Sequence, residues 1–505
     1  MVLSRLLTLI KALIPLTQVA SPEEESLRVE ERKKKRKPLM LSLARRKSPM
    51  RKGGKELPKG PWADICEQID PRFLEKVDIF TIAATPLEKA SNSRAIATLM
   101  GPGDSTCSLV TYEGLASGQA ISNYPLIANR PYREGDPICD RFMVRLYRDY
   151  TFIALADGCN WGHMSRKAAK RATKRLLETI EEFEEVTKDC RTAAAVLLLG
   201  FSRGHERILD FGRDQLGPGP GKTTLVGGLL LHNVEKEADA PYTFVFTTLG
   251  DCKFMHFDRT TGTVRDITSG NRLNILDARD AGGRLGGSHE RTDIRNLSIG
   301  SVLVQEGDMI IALSDGVHDN FDPQACGISP RELGMEADTW EQAPYDLALQ
   351  AKTTFMEQRI MENLRSLPTS FTPEHVVARL IETSETITSP SRRFMEEFPS
   401  DKLPPDLRKY PGKLDHASCA CIVASLHQET IADFSSNCFF DTSQTAMRHA
   451  VLRERQLSYA LELEAATPSK LQAKGPPMKR RETTAHRCLH SPQQAERPIS
   501  LRDSL

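Results

Sequence analysis

The hexapeptide Ile153-Ala154-Leu155-Ala156-Asp157-Gly158 recurs, with one change, as Ile311-Ala312-Leu313-Ser314-Asp315-Gly316. Each copy is a short apolar run that stops at Asp-Gly, the pattern of a buried strand ending in an abrupt turn. A strand end holds its carboxylate on rigid backbone. Two carboxylates presented this way suit a hydrolase that clamps hard divalent ions through oxygen ligands. Either copy alone is also an ordinary Asp-Gly turn. Further acidic positions with similar surroundings are Asp140, Asp251, Asp319 and Asp415.

The elements that must carry these residues are readable in outline. Strands are expected at Phe152–Ala156, Leu225–His232, Tyr242–Leu249, Lys253–Phe257, Met309–Leu313 and Cys419–Leu426. Asp140 opens a strand-like run, and Leu249-Gly250-Asp251-Cys252-Lys253 reads as the turn of a hairpin. Ser165–Val186 reads as one long helix, basic early and Glu-rich late. That polarity opposes the helix dipole, so packing must hold it. Residues 331–410 read as a helical insertion. Within it, Thr372-Pro373-Glu374 is a helix start, with a capping Thr and Pro at the first helical position.

Composition bounds the class. The chain has 505 residues, 68 Lys+Arg against 67 Asp+Glu, and 39% apolar residues, which suits a globular core with polar extensions and argues against a dedicated nucleic-acid binder. Basic runs at Arg32–Lys37, Arg45–Lys47 and Arg51-Lys52 mark a solvated N-terminal tail, which could serve nuclear import or weak phosphate contact. The 11 cysteines form no CxxC or zinc spacing, so a reducing cytoplasmic or nuclear setting is expected. Arg5 and Lys11 break the apolar stretch Met1–Ala20, against a secretory leader. No run is long and apolar enough to span a membrane. Gly217–Thr223 imitates a phosphate-binding loop, but Leu216 stands where that loop needs Gly, and a strand rather than a helix follows.

In order, the segments around Asp140, Asp157-Gly158, Thr223-Thr224-Leu225-Val226, Gly250-Asp251-Cys252-Lys253, Ser314–Asp319 and Asp415–Ser418 resemble the metal-dependent Ser/Thr protein phosphatases of type 2C. The resemblance covers residues 76–427. It implies an α+β fold: a four-layer α-β-β-α sandwich of two antiparallel sheets flanked by helices, here with the 331–410 insertion and disordered tails at 1–75 and 428–505. A further helix is expected over Thr445–Glu464. The implied chemistry is hydrolysis of phosphoserine and phosphothreonine in proteins at two Mg²⁺ or Mn²⁺ ions, with a weaker third. By the same resemblance Asp140, Asp157, Asp315 and Asp415 are the core ligands and Gly158 lends its carbonyl. Asp157 and Asp315 are central to catalysis, and Asp251 and Asp319 match the weaker metal. Asp251 read alone is a turn residue, and Asp319 read alone is a helix cap. Phosphoproteins are the expected partners, and a monomer is expected.

Three departures accompany the resemblance. Cys139 stands where the family has Glu. Cys159 replaces the histidine thought to protonate the leaving oxygen, which leaves His163 or His416 for that role. Arg133 is the best available phosphate ligand, a guanidinium suited to bidentate contact. The alternative is a pseudophosphatase that binds phosphoproteins or acts as a scaffold without turnover. Cys139, Cys159 and Cys252 either pack beneath the site as small apolar residues or act as redox-sensitive thiols.

Overall fold

Strand Tyr150–Ala156 is buried along its whole length, so something must cover each face. Ile153 and Leu155 join a core that also holds Phe142, Phe244, Phe254 and Ile310, from two facing sheets. Phe152, Ala154 and Ala156 turn the other way, onto a core shared with helical Ala168, Leu176, Val196 and Phe201.

The computed structural model describes residues 61–79, 95–102, 109–187, 189–213, 219–233, 240–272, 274–287 and 293–425. The first strands are β1 (Asp78–Ile79), β2 (Ala97–Gly101), β3 (Val110–Tyr112), β4 (Ala116–Ser122), β5 (Arg141–Leu146), β6 (Tyr150–Ala156) and β7 (Gly158–Cys159). Next come β8 (Lys222–Thr223), β9 (Leu225–His232), β10 (Tyr242–Leu249), β11 (Lys253–Asp258) and β12 (Thr263–Asp266). The last are β13 (Leu285–Gly286), β14 (Ser298–Val304), β15 (Met309–Leu313) and β16 (His416–Val423). The helices are α1 (Pro61–Glu67), α2 (Pro71–Lys76), α3 (His163–Glu182), α4 (Cys190–Arg213), α5 (Asp315–His318), α6 (Tyr345–Arg365) and α7 (Pro373–Glu397).

One sheet has seven strands in the order β1-β14-β10-β9-β6-β5-β2, the other six in the order β12-β11-β15-β16-β4-β3. All pairings are antiparallel except β1 with β14. Helices α3 and α4 cover the seven-stranded sheet, and α7 covers β4 and β16 of the other. The fold is the expected four-layer sandwich. Gly227 and Gly228 interrupt the apolar run of β9 for a packing reason: a Cβ at Gly227 would strike Leu176, and one at Gly228 would strike Phe244. Helix α3 is held as its charge pattern requires, by buried Ala168, Ala169, Ala172, Leu176 and Ile180. No described helix is long and apolar enough to cross a membrane.

Three expectations are corrected. Gly250-Asp251-Cys252 is not a hairpin turn, because β10 pairs with β9 and β14 while β11 pairs with β12 and β15 in the opposite sheet. The segment crosses between the sheets, with Gly250 at φ +99°. Residues 331–410, expected as a helical insertion, include helix α7 of the sandwich itself. Val376, Val377, Leu380, Ile381, Ser384 and Thr388 form one buried stripe of α7 at helical spacing, and that stripe is the outer layer of the six-stranded sheet. The Thr372 cap and Pro373 sit where expected, with His375 completing the capping box. Part of the N-terminal stretch 1–75 is folded: Ile65, Cys66 and Ile69 of the α1 region and Phe73 of α2 join the core under α4. The basic runs before residue 61 and the helix expected at Thr445–Glu464 lie outside the described residues.

Phe73 is fully buried beside His205, with ring centroids 5.9 Å apart. Phe73→Ala is expected to destabilise the chain by about 3–5 kcal/mol, read as a lower urea midpoint. An unchanged midpoint would show that residues 61–76 lie outside the cooperative unit.

Candidate metal centre

The two hexapeptides lie in different sheets, one in β6 and the other in β15, and their aspartates meet at one end of the sandwich. Carboxylate oxygens of Asp157, Asp251 and Asp315 all lie within 4.8 Å of one another. Asp140 precedes β5, Asp415 precedes β16, and Asp319 follows α5. Backbone groups fix these residues. The Asp157 carbonyl accepts from Thr224 N at 2.8 Å and Thr223 Oγ1 at 2.7 Å. Gly158 pairs with Thr223 in a small sheet of β13, β8 and β7. A Cβ at Gly158 would lie 2.7 Å from the Cys139 carbonyl and 2.8 Å from that of Ser165, so no side chain fits there. Asp415 accepts from the Tyr124 hydroxyl at 3.0 Å and from His416 N at 2.8 Å.

Two half-buried cations answer part of this charge. Arg272 donates to Asp251 at 2.7 Å and to Asp319 at 2.6 and 3.1 Å. Lys413 reaches Asp415 at 2.9 Å and Asp319 at 3.4 Å, and also donates to Asp315. The Arg272 loop is braced in turn: Lys253 donates to Asp266 at 2.6 Å and to Asn271 at 3.3 Å. Asn296 binds both polar groups of Gly250 and the Asn271 carbonyl. His318 Nε2 lies 3.0 Å from the Asp251 carbonyl and His318 Nδ1 lies 3.2 Å from Asp319.

The balance remains anionic. Among the described residues no group meets either oxygen of Asp140 in ordinary hydrogen-bond geometry, with Ser314, Ser418 and Asp157 close beside it, and Oδ1 of both Asp251 and Asp315 lacks a partner. Burial raises the Asp140 carboxyl to about 7, against the opposing pull of Ser418 and Ser314 and with Asp415 adding to the rise. Burial and the neighbouring carboxylates hold Asp157 well above its usual range, and burial does the same to Asp315 despite the opposing pull of Lys413. For Asp319, burial alone would act in the same direction, but Arg272 and Lys413 override it and hold the group well below. Asp251 is likewise lowered, against its burial, by Arg272. Buried, unpartnered, all-oxygen donors fit a hard divalent cation.

The remaining sequence candidates are placed differently. His163 is the exposed first residue of α3. His416 is buried, its ring 5.2 Å from that of Tyr124 and its Nδ1 accepting from Cys139 N at 3.4 Å, and burial lowers its pKa. Arg133 is half-buried and donates to the Tyr124 carbonyl at 2.7 Å, with Glu396 at 3.9 Å. Burial raises the Cys139 and Cys159 thiols to about 12 and holds Cys252 well above its usual value. Such thiols stay protonated, which supports the packing role over the redox role. Sequence reasoning missed Arg272, Lys413 and Tyr124. Lys413 carried a signal, standing two residues before Asp415; nothing local marks Arg272.

Removing the Arg272 guanidinium strands Asp251 and Asp319 in the interior. Arg272→Ala is expected to cost about 3–5 kcal/mol at pH 7. Lowered carboxyl pKa values contribute stability above the unfolded value of about 3.9 and lose it as pH falls through the folded value. The gap between wild type and variant in urea should therefore shrink below about pH 4. A gap independent of pH would contradict this electrostatic account.

No family model matches the chain. It is 27% identical over 237 residues to the PP2C-like domain-containing protein CG9801 of Drosophila melanogaster, a match covering 45% of this chain and 30% of that protein. The chain thus spans under a third of the length of the curated relative it matches. Among solved structures, the Mycobacterium smegmatis PPM Ser-Thr phosphatase MsPP in complex with cacodylate is 14% identical, at TM-score 0.33, covering 61% of this chain and 97% of that one. The S. agalactiae serine/threonine phosphatase is 14% identical at TM-score 0.36, covering 61% and 100%. The PstP catalytic domain in complex with two manganese ions is 14% identical at TM-score 0.33, covering 62% and 99%. In the order of its motifs and in this match the chain is similar to a PP2C-like domain.

Proposed function

We propose that the chain is a protein phosphatase that hydrolyses phosphoserine and phosphothreonine with the help of Mg²⁺ or Mn²⁺. The observation that carries this reading is the buried group of unpartnered carboxylate oxygens on Asp140, Asp251 and Asp315, beside Asp157. Asp140, Asp157, Asp315 and Asp415 are the assigned ligands, with the Gly158 carbonyl as a further oxygen. Asp251 offers the one carboxylate oxygen that Arg272 leaves free. Asp319 is engaged by Arg272 and Lys413 and acts chiefly as their anchor. A bound divalent ion supplies an acidified water and offsets charge on phosphoryl oxygens.

The protein's own groups have distinct tasks. Asp157 and Asp315, at the ends of facing strands, hold the reacting centre in place. Arg133 is assigned to the substrate phosphate. It is tied to the Tyr124 carbonyl, and the Tyr124 hydroxyl is tied to Asp415, so the guanidinium is linked to the ligand group through one residue. His163, the exposed histidine of the two, is assigned to donate its ring N–H to the leaving serine or threonine oxygen. The burial that lowers the His416 pKa keeps that ring neutral, as a support between Tyr124 and Cys139.

Turnover of a phosphothreonine peptide with Mn²⁺, and its loss on chelation, is the direct test. Asp157→Asn and Asp315→Asn are each expected to lower kcat/KM roughly a thousandfold, since Lewis-acid stabilisation is worth several kcal/mol. His163→Ala should lower kcat about 100-fold. Peptide binding without turnover in the wild type would establish the pseudophosphatase alternative, and turnover that survives chelation would rule out the metal.

A second expectation concerns stability. A carboxyl raised to about 7 in the folded state binds a proton that the unfolded chain has released above about pH 4. Its contribution to stability therefore falls as pH rises from about 4 to about 7 in the metal-free chain. Asp140→Asn should abolish that part of the slope. Mn²⁺ at a hundred times its Kd should stabilise the wild type by about 2.7 kcal/mol, and Asp140→Asn by clearly less. Equal metal-induced Tm shifts in both would remove Asp140 from the ligand set.

A further inference from the structure

Lys413 is built into the carboxylate cluster. Its backbone N–H donates to Asn320 Oδ1 at 2.8 Å, and Asn320 Nδ2 returns a bond to its carbonyl at 3.3 Å. Gly412, at φ +86°, delivers the chain into this clip, with its own N–H on the Ala325 carbonyl at 2.8 Å. A Cβ at Gly412 would come within 2.5 Å of Asn320 Oδ1, so the turn requires glycine twice over. The stem then runs to an ammonium with three N–H groups and three carboxylate partners: Asp315, Asp319 and Asp415.

The cluster is thereby divided. On one side Asp315 Oδ2, Asp319 Oδ2 and Asp415 Oδ2 face the Lys413 ammonium. Away from it, among the described residues, Asp315 Oδ1 and Asp251 Oδ1 have no partner, carboxylate oxygens of Asp157, Asp251 and Asp315 lie within 4.8 Å of one another, and fully buried Asp140 stands beside Asp157. Asp315 turns one oxygen to each side. An ammonium surrounded by carboxylate oxygens does the electrostatic work of an ion in that place.

We propose that Lys413 is a tethered cation that occupies one of two ion positions, so that the native chain takes a single divalent ion on the Asp140, Asp157, Asp251 and Asp315 side. This rests on the metal-dependent reading above and narrows it: the expected pair of ions becomes one ion and one lysine. Asn320 and Gly412 are positioning residues for the ammonium.

The test is a count of Mn²⁺ on the full chain, stripped with EDTA and titrated by equilibrium dialysis, with the electron paramagnetic resonance spectrum recorded at saturation. The wild type is expected to bind one Mn²⁺ with an uncoupled six-line spectrum. Lys413→Ser is expected to bind two, with the broadened spectrum of an exchange-coupled pair. If Lys413→Ser does not fold, Lys413→Gln, which removes the charge and keeps most of the stem, gives the same count. Two coupled ions on the wild type, or one ion on a folded Lys413→Ser chain, would overturn the proposal while leaving metal-dependent hydrolysis standing. Absence of Mn²⁺ binding by both proteins would overturn both readings.

Discussion

Carboxylates largely withdrawn from water are the constraint around which this structure is arranged. Burial disfavours their charge, and each must be answered by a cation, a hydrogen bond or a proton. Six aspartates converge where two sheets end together. The chain answers two of them with Arg272, and Lys413 joins three. Much of the nearby polar structure exists to hold those answers in place. Lys253, Asp266 and Asn271 brace the arginine loop, Asn296 ties that loop to Gly250, and Asn320 clips the lysine turn. What remains unanswered is centred on Asp140 and one oxygen each of Asp251 and Asp315.

The legible part of this arrangement was local. The repeated hexapeptide is a strand buried on both faces followed by a sharp stop, so Asp157 and Asp315 announced themselves. The strands Leu225–His232, Tyr242–Leu249 and Met309–Leu313 fall where their apolar runs place them. The Thr372-Pro373 helix start is equally local, because capping involves only neighbouring residues. What could not be read was pairing. Leu249–Lys253 looks the same whether its strands pair with each other or with different sheets, since both arrangements need a turn and two apolar runs. The choice is made by the strands next in sequence on either side, β9 and β12, and by β14 and β15 about 50 residues further along.

The same limit hid two other features. An amphipathic helix shows that one face is covered, not by what, so α7 looked like an insertion when it is a layer. The short helices at 61–76 sit beside a basic run that dominates the composition around them, and their membership of the core rests on four residues, Ile65, Cys66, Ile69 and Phe73. Arg272 is the extreme case. It acts entirely through contacts with Asp251 and Asp319, and no neighbour in sequence hints at either.

Strand β16 lies inside its sheet, with β15 on one side and β4 on the other, pairing Ile422 with Ala116 and Ile310. During synthesis every other described strand of both sheets leaves the ribosome first. Until β16 emerges, the six-stranded sheet is two separate pieces with facing open edges, and the lysine and the last aspartate of the site have only just been made. Completion of the sandwich and completion of the charge cluster are therefore one event. A nascent chain waiting for that strand exposes two unpaired edges, the kind of surface that recruits chaperones or aggregates.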